Sequence, residues 1–523
     1  MSSLVNLVQP TPFHVFDTTL RDGAQQEGLH LSAHDKMRIA AELDGLGVTF
    51  IEGGWPGANP NDTEFFATAA RELTLRNATL VAFGATRRVG MTAETDPLTQ
   101  ALLDANTEVV CLVAKSHDRH VTQALKTTLE ENLEMIRDTV TFLRSHGRRV
   151  FVDCEHFFDG YLDNPSYAKT VVNTCAEAGA EVAILCDTNG GMVPSAVSQI
   201  VADVATLGVP LGMHCHNDTG CAVANTLAGV EAGAMHVQGT VNGYGERTGN
   251  ADLTTVIANL KIKYGWDIVS DDALHSLTHI AHSVADISNQ SSGARQPYVG
   301  ISSFAHKAGL HASAIKVDAN LYQHIDPEIV GNGMRMLISD MAGRANIQIK
   351  AEQLGHDLSD KAIASSLAEK VKELEAQGYS FEAADASFDL LIRAALGHDM
   401  SPFVVDAWRV YTDQHEDSQA VVRVRFAEET AKPYVGEGNG PFDALAQALR
   451  SALTPVYPNI VDVELMDYHV RLMDNGHGTD ATTRVLIDWR WGAKSWTTVG
   501  VGTNVVEASW EALADSYTYA LVL

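Results

Sequence analysis

The sequence predicts an α/β protein that begins with a (β/α)₈ TIM barrel, continues with a mainly helical linker subdomain and ends in an α+β domain. Two observations predict the barrel. Eight short apolar runs, each followed by an amphipathic helical stretch, occupy roughly the first 250 residues, as is typical of this fold. The chain also lacks the glycine fingerprint of an open dinucleotide-binding sheet. Its 523 residues are too many for a single core.

The predicted barrel strands follow one another at regular intervals. They cover residues 14–20, 49–53, 80–84, 109–114, 149–155, 181–186, 210–216 and 236–241. Ser32 is the expected N-cap of the first helix, and Gly47 is the residue expected to end it. We expect the barrel to occupy residues 8–270.

The alternation of strands and helices stops after the barrel. Residues 271–400 look mainly helical and show no independent core, so we expect a linker subdomain that packs on the barrel or on a partner subunit. Residues 401–523 are expected to form an α+β domain. Its predicted strands cover 403–411, 420–426, 461–465 and 483–491, and its predicted helices cover 441–453 and 506–517.

Charge and composition exclude several classes of protein. The formal net charge of −29 argues against binding to nucleic acid or to anionic membranes. No apolar run approaches the roughly 20 residues that cross a bilayer, and the N-terminus has no signal-peptide core. The six scattered cysteines are expected to be reduced thiols. These features together predict a cytoplasmic protein.

His214 and His216 lie two residues apart at the end of the seventh predicted strand. Side chains at i and i+2 of a strand point to the same face, so both imidazoles can bind one ion. Active sites of such barrels lie where the strands end, and Asp22 follows the first strand. The ordinary alternative is that these are satisfied polar residues at the barrel mouth.

Two imidazoles, a carboxylate and an amide oxygen suit Mn²⁺, Mg²⁺ or Zn²⁺, which would polarise a chelating 2-oxo acid. Amidohydrolase barrels also carry a His-x-His pair, but on the first strand. The position of the pair on the seventh strand counts against hydrolysis.

Three motifs of this chain resemble those of the metal-dependent Claisen-condensing barrel family. They are FDTTLRDGAQ at 16–25, HCHNDTG at 214–220 and GTVNGYGERTGN at 239–250. The family contains 2-isopropylmalate, homocitrate and citramalate synthases and, by lyase chemistry, hydroxymethylglutaryl-CoA lyase. The citramalate branch is more similar, on the motifs IEGGWPGANP at 51–60, CEHFFDGY at 154–161, DTNGG at 187–191 and TTVGVGTN at 497–504.

The resemblance implies a role for each matching residue. The metal ligands would be Asp22, His214, His216 and Asn250. Arg21 would stabilise an oxyanion and bind substrate, and Thr188 would hold the substrate carboxylate. The base would be Glu155 or His311, with His306 as a second candidate for that histidine, and Tyr322 would reach the active site. Isopropylmalate synthases usually continue His-Gln-Asp where this chain has HAS at 311–313, which favours another branch.

The resemblance also implies an activity. Acetyl-CoA, pyruvate and water would give (R)-citramalate and CoA, a step towards isoleucine. The C-terminal domain would be a regulatory and dimerisation domain, with isoleucine as effector of a homodimer. On its residues alone, the segment 436–443 is either a turn that could hold a small zwitterion or an ordinary strand–helix connection. The alternatives are a 2-isopropylmalate or homocitrate synthase, a related acyl-CoA lyase, and a non-enzymatic amino-acid-binding protein with a relic barrel.

Overall fold

The structure, a computed structural model, describes residues 7–307, 309–315, 317–338, 343–415, 417–427, 429–473 and 481–523. Residues 1–6, on which part of the signal-peptide expectation rests, lie outside this range. The described chain forms two compact units. The first contains 7–304 and Asp326–Gly333, and the second contains Ala305–Ile325 and Met334–Leu523. The expected domain boundaries at 270 and 400 stay predictions.

The first unit contains the predicted eight-stranded parallel barrel. Each strand pairs with the next, and the last strand pairs with the first in register from His14–His236 to Asp17–Gly239. The strands are β1 (His14–Asp17), β2 (Phe50–Gly54), β3 (Thr79–Ala85), β4 (Val109–Lys115), β5 (Arg149–Glu155), β6 (Val182–Asp187), β7 (Leu211–Cys215) and β8 (His236–Gly239). The barrel prediction is therefore confirmed.

Helices connect the barrel strands and extend beyond them. They are α1 (Ala33–Leu46), α2 (Pro60–Glu72), α3 (Pro97–Asp104), α4 (Leu129–Ser145), α5 (Phe157–Asp163), α6 (Pro165–Ala178), α7 (Pro194–Ala205), α8 (Ala222–Glu231), α9 (Leu253–Ala258), α10 (Asp271–His275) and α11 (Leu277–Ile287). The predicted ends of α1 are confirmed. The Ser32 hydroxyl accepts a hydrogen bond from the Asp35 backbone N–H, and Gly47 takes the left-handed conformation at φ 81°.

Aromatic side chains fill the interior of the barrel. Phe16, Phe50, Phe151 and Ile184 are buried in one cluster that spans β1 to β6. The rings of Phe50 and Phe151 meet edge to face with centroids 5.0 Å apart. The rings of His14 and His236, at the amino ends of β1 and β8, pack among these aromatic side chains. The carboxyl ends of the strands carry the charged groups of the candidate site.

The second unit begins with short elements and three longer helices. They are β9 (Ala305–His306), α12 (Gly309–Ile315), β10 (Arg335–Met336), α13 (Arg344–Gln353), α14 (Lys361–Ala376) and α15 (Asp385–Ala395). The mainly helical character is confirmed, and the expectation that this segment has no independent core stays a prediction, because its buried cluster also includes Val499 of the C-terminal region. Ile347, Leu367, Val371, Phe388 and Ile392 are buried in a common cluster. The members of this cluster come from three separate helices, α13, α14 and α15.

The C-terminal region forms two three-stranded antiparallel sheets and two helices. These are β11 (Val404–Tyr411), β12 (Ser418–Arg425), β13 (Lys432–Gly438), α16 (Pro441–Leu453), β14 (Glu464–Leu472), β15 (Thr483–Trp491), β16 (Lys494–Gly502) and α17 (Val505–Val522). The α+β prediction is confirmed. The strand expected at 461–465 was misplaced, since Pro458–Asp462 forms a 3₁₀ turn and β14 starts at Glu464. Strands β13 and β16 were not predicted.

The six cysteines are all free thiols, as expected. Five of them are buried, and Cys221 is partly exposed. Among the residues that the structure describes, no helix combines the length and the apolar character needed to cross a membrane.

Candidate metal centre and active site

Asp22, His214 and His216 come together at the carboxyl end of the barrel. The pleat of β7 directs both imidazoles to one face, and their Nε2 atoms are 3.3 Å apart. Asp22 follows β1 and is the N-cap of a 3₁₀ turn (Gly23–Gln25), with its Oδ2 atom 3.5 Å from His214 Nε2 and 3.9 Å from His216 Nε2. All three side chains are buried. The three groups are close enough to share one cation.

Asn250 is brought beside this group by an antiparallel bridge to His216. Its Nδ2 atom donates to Asp22 Oδ1 at 3.1 Å and to the Tyr244 carbonyl at 3.0 Å. Its Oδ1 atom is buried and has no hydrogen-bond partner among the described residues. A buried acceptor without a partner is costly, and a cation is one group that would satisfy it. The donor set therefore fits a divalent metal ion.

Glycines allow the loop before Asn250 to close tightly. Gly249 has φ 84°, and a Cβ there would lie 1.9 Å from the Gly243 carbonyl oxygen. Gly245 has φ 145°, and a Cβ there would lie 2.4 Å from Asn250 Nδ2. Because only glycine tolerates both the conformation and the contacts, the pattern GYGERTGN is required for the position of Asn250.

The charges around Asp22 and His216 favour metal binding. Burial opposes ionisation of Asp22, but the neighbouring positive charge of Arg21 holds the pKa of this carboxyl well below its usual value. Burial lowers the pKa of His216 to about 4. At neutral pH the group thus presents a carboxylate and an uncharged imidazole, the forms that bind metal ions.

Arg21 is held rigidly at the edge of the site. Its Nε atom donates to Glu52 Oε2 at 2.7 Å, and its Nη1 atom donates to Asp22 Oδ2 at 3.0 Å. Its guanidinium carbon lies 3.9 Å from the centroid of the Phe83 ring. The Thr18 hydroxyl donates to the same Glu52 oxygen at 2.6 Å. These contacts fix the guanidinium in one orientation beside Asp22.

Glu155 and Thr188 lie on the wall of the same cavity. Glu155 ends β5 and forms an ion pair with Lys115 at the end of β4. The Thr188 hydroxyl oxygen accepts from the His156 backbone N–H at 2.8 Å, so its own hydrogen can be donated to a ligand. His156 itself has φ 55°, an uncommon conformation for a residue with a Cβ.

The cavity at the barrel mouth has a volume of about 290 Å³. Trp55, Phe83 and Val113 give it an apolar part, and the Arg21 guanidinium lies over the Phe83 ring. It is lined by Arg21, Asp22, Gln25, Trp55, Phe83, Val113, Asp153, Glu155, Cys186, Thr188, His214, His216, Glu246 and Arg247. A cavity of this size and polarity suits a small organic acid.

Two buried residues behind His214 were not predicted from the sequence. Gln238 on β8 lies with Oε1 2.7 Å from His214 Nδ1, and its Nε2 atom donates to Asp153 Oδ1 at 3.0 Å. Burial raises the pKa of Asp153 to about 6. A charged residue inside the apolar run RVFVDCE (149–155) and an amide inside the run HVQG (236–239) were the available signals.

His311 and Tyr322 lie in the second unit and contact each other. Their rings stack with centroids 4.1 Å apart at an interplanar angle of 30°. His306 is edge-on to His311 at 6.4 Å, and 40% of the Tyr322 surface is exposed. The two residues matched by the resemblance are thus brought together, and their catalytic roles stay predictions.

Comparison with known proteins identifies the family. Three family models match in succession: HMGL-like at 12–284, homocitrate synthase post-HMGL domain-like at 298–379, and LeuA allosteric (dimerisation) domain at 382–521. The chain is 57% identical to an (R)-citramalate synthase of Streptomyces coelicolor over 517 residues, which are 98% of this chain and 97% of that protein. The chain belongs to the citramalate synthases of the HMGL-like family.

Other relatives agree with this membership. An (R)-citramalate synthase of Aquifex aeolicus is 47% identical, with 97% of this chain and 98% of that protein covered. A 2-isopropylmalate synthase of Methanocaldococcus jannaschii is 30% identical, with 98% and 95% covered. Membership makes the chain a condensing acyltransferase, as its motifs indicated. This membership disfavours two alternatives, an acyl-CoA lyase and a non-enzymatic amino-acid-binding protein with a relic barrel.

Proposed function

We propose that the chain is an (R)-citramalate synthase that condenses acetyl-CoA with pyruvate and water to give citramalate and CoA. The identity with named citramalate synthases over almost the whole chain carries this proposal. The cavity supports it independently, because it combines a cation-binding group with an arginine and a hydroxyl in a space suited to a small 2-oxo acid.

The proposed metal ligands are Asp22 Oδ2, the Nε2 atoms of His214 and His216, and Asn250 Oδ1. Mn²⁺, Mg²⁺ and Zn²⁺ all accept this mixture of nitrogen and oxygen donors. Such an ion would act as a Lewis acid that withdraws electron density from the keto group of pyruvate.

The side chains around the cavity would position the 2-oxo acid and stabilise charge. The Thr188 hydroxyl would donate to the pyruvate carboxylate. The Arg21 guanidinium would stabilise the negative charge that develops on the keto oxygen as its carbon is attacked, without reorienting, because Glu52 and Asp22 already hold it.

A base would remove a proton from the methyl group of acetyl-CoA, and the enolate would attack the keto carbon. Glu155 lines the cavity, whereas His311 is assigned through the resemblance, with Tyr322 stacked against it. Water would then hydrolyse the thioester, which releases CoA and makes the overall reaction irreversible.

The C-terminal domain is proposed to regulate a cytoplasmic homodimer. The matching family model describes an allosteric and dimerisation domain. We propose isoleucine as the effector, and the connection between the end of β13 and the start of α16, at 436–443, as one candidate position for it.

The deciding experiment compares substrates. CoA release from acetyl-CoA is measured in parallel with pyruvate, 2-oxobutanoate, 2-oxoisovalerate and 2-oxoglutarate, and the product is identified by mass. We expect pyruvate to have the highest kcat/KM. A preference for 2-oxoisovalerate or 2-oxoglutarate would identify an isopropylmalate or a homocitrate synthase instead.

The metal assignment has its own test. Asp22→Ala should abolish turnover and Mn²⁺ binding while the far-ultraviolet circular dichroism stays that of the parent. An Asp22→Ala enzyme with full activity in chelator-treated buffer would refute the assignment.

A further inference from the structure

We propose that Asp153 and Gln238 are positioning residues that decide which nitrogen of His214 carries the proton, and so keep Nε2 free to bind the metal ion. The inference rests on the metal site of the proposed function. It adds two residues from β5 and β8 that touch neither the ion nor the substrate in that proposal.

Gln238 determines which nitrogen of the His214 ring carries the proton. Its Nδ1 atom is 2.7 Å from Gln238 Oε1, and an amide oxygen can only accept a hydrogen bond. The neutral imidazole has one N–H group, so this contact places the proton on Nδ1. The lone pair then remains on Nε2, the atom that lies 3.5 Å from Asp22 Oδ2 and 3.3 Å from His216 Nε2.

Asp153 determines the orientation of the Gln238 side-chain amide. A glutamine amide has an accepting and a donating end of nearly the same shape, so its own contact with His214 could form either way round. Asp153 removes this ambiguity, because a carboxylate accepts and does not donate. Asp153 Oδ1 lies 3.0 Å from Gln238 Nε2, which must therefore be the donating end.

The three side chains in these contacts are buried, and a positive charge lies beside Asp153. Gln238 is 0% exposed, and Asp153 and His214 are each 4% exposed, so little of their surface is available to water that would compete for these hydrogen bonds. Arg21 Nη2 lies 4.0 Å from Asp153 Oδ2 and places a positive charge beside the carboxylate. The proton position on His214 is thus determined by a carboxylate two side chains away.

The perturbation that follows is Asp153→Asn, which barely changes the volume of the side chain. The introduced amide can present either its oxygen or its NH₂ group to Gln238. The Gln238 amide can then turn over and donate to His214 Nδ1. The proton of the ring would move to Nε2, which would no longer have a lone pair for a metal ion.

The test measures Mn²⁺ affinity by the electron paramagnetic resonance signal of free Mn²⁺, without substrates. Asp153→Asn should weaken binding by about 10–100-fold, as is usual when the hydrogen-bond partners of metal ligands are removed. Gln238→Met, which removes the acceptor outright, should weaken it by a similar factor.

The double variant Asp153→Asn/Gln238→Glu reverses the polarity of the pair. The introduced carboxylate accepts both from His214 and from the introduced amide, so Nδ1 is again forced to donate. We expect affinity to recover to within about threefold of the parent. Only a role in positioning the proton of His214 predicts this recovery. If the two residues were merely structural, the second substitution in the barrel would lower Mn²⁺ affinity further.

Asp44→Asn is the matched control. Asp44 is also a buried aspartate, but it accepts from the backbone N–H groups of Arg76, Asn77 and Ala78, away from the metal ligands. This variant should lower the unfolding temperature and leave Mn²⁺ affinity unchanged.

Three results would overturn the inference. They are parent-like affinity in folded Asp153→Asn, no recovery in the double variant, and an equal loss of affinity in Asp44→Asn. A parent enzyme that binds no Mn²⁺, or that binds it equally well after Asp22→Ala, would instead refute the metal site of the proposed function, and the positioning role with it.

Discussion

Arg21→Lys tests whether the fixed guanidinium beside Asp22 is the group that stabilises the oxyanion. Arginine makes two charged hydrogen bonds there, at 2.7 Å to Glu52 and at 3.0 Å to Asp22. A lysine keeps the charge but lacks the planar fork that reaches both carboxylates, and it loses the stacking on Phe83. Removing one donor from an oxyanion site costs about 2.7–4 kcal/mol. We therefore expect kcat with pyruvate to fall by about 10²–10³-fold, with a smaller change in KM.

Arg87→Lys provides the matched control, because Arg87 is equally buried and also bonds two carboxylates. Its Nε atom is 2.6 Å from Asp138 and its Nη1 atom 2.8 Å from Glu131, and it does not line the cavity. Both variants should lose similar stability in urea unfolding, but only Arg21→Lys should lose kcat. Loss of kcat in both, or in neither, would refute the reasoning.

Three further predictions concern the free energy of unfolding and metal binding. Lys36→Met should lower the free energy of unfolding by about 3–5 kcal/mol in urea, because it leaves the buried Asp62 carboxylate without its 2.5 Å ion-pair partner; a change below 1 kcal/mol would contradict this. Burial raises the pKa of Asp515 to about 7, so the folded state binds more protons than the unfolded state between pH 4 and 7, and stability is lost as pH rises through that range. Asp515→Asn should therefore have the parent's free energy of unfolding at low pH and a higher one by pH 8, by at most about 1.4 kcal/mol for each unit by which the pKa is raised. A difference that does not change with pH would contradict this role of the Asp515 carboxyl. Gly249→Ala should weaken Mn²⁺ binding at least tenfold, because its Cβ would lie 1.9 Å from the Gly243 carbonyl and displace Asn250, whereas Gly147→Ala, at a similar φ with open space around it, should change only stability.

The barrel and its cation-binding group were predictable for a physical reason. Strands that are buried on both faces are continuously apolar, so their spacing is visible in the sequence. Since all eight carboxyl ends meet at one face, Asp22 and His216 could be placed together although 194 positions separate them. The strand period of two then placed His214 on the same face as His216.

The parts that could not be predicted depend on packing between distant residues. The contact of Gln238 with both His214 and Asp153 depends on how β5, β7 and β8 curve inward, which one strand does not reveal. Strand β14 was misplaced because most of its side chains are exposed, so the apolar alternation that marks a half-buried strand is absent. Strand β13 begins Lys-Pro and contains two glycines, a composition that disfavours a strand.

The proposed metal ligands come from the first strand of the barrel and from its last two strands. Asp22 follows β1, His214 lies in β7 and His216 directly follows it, and Asn250 follows β8, so one ion would cross-link the first strand to the last two. The β1–β8 pairing that closes the cylinder spans four residue pairs, and the β1–β2 and β7–β8 pairings beside it span two and three. A ligand that binds only the closed form adds about 4 kcal/mol of stability at a thousandfold excess over its Kd. Metal removal should therefore lower the unfolding temperature of the barrel as well as its activity, and hydrogen exchange should increase first in β1 and β8.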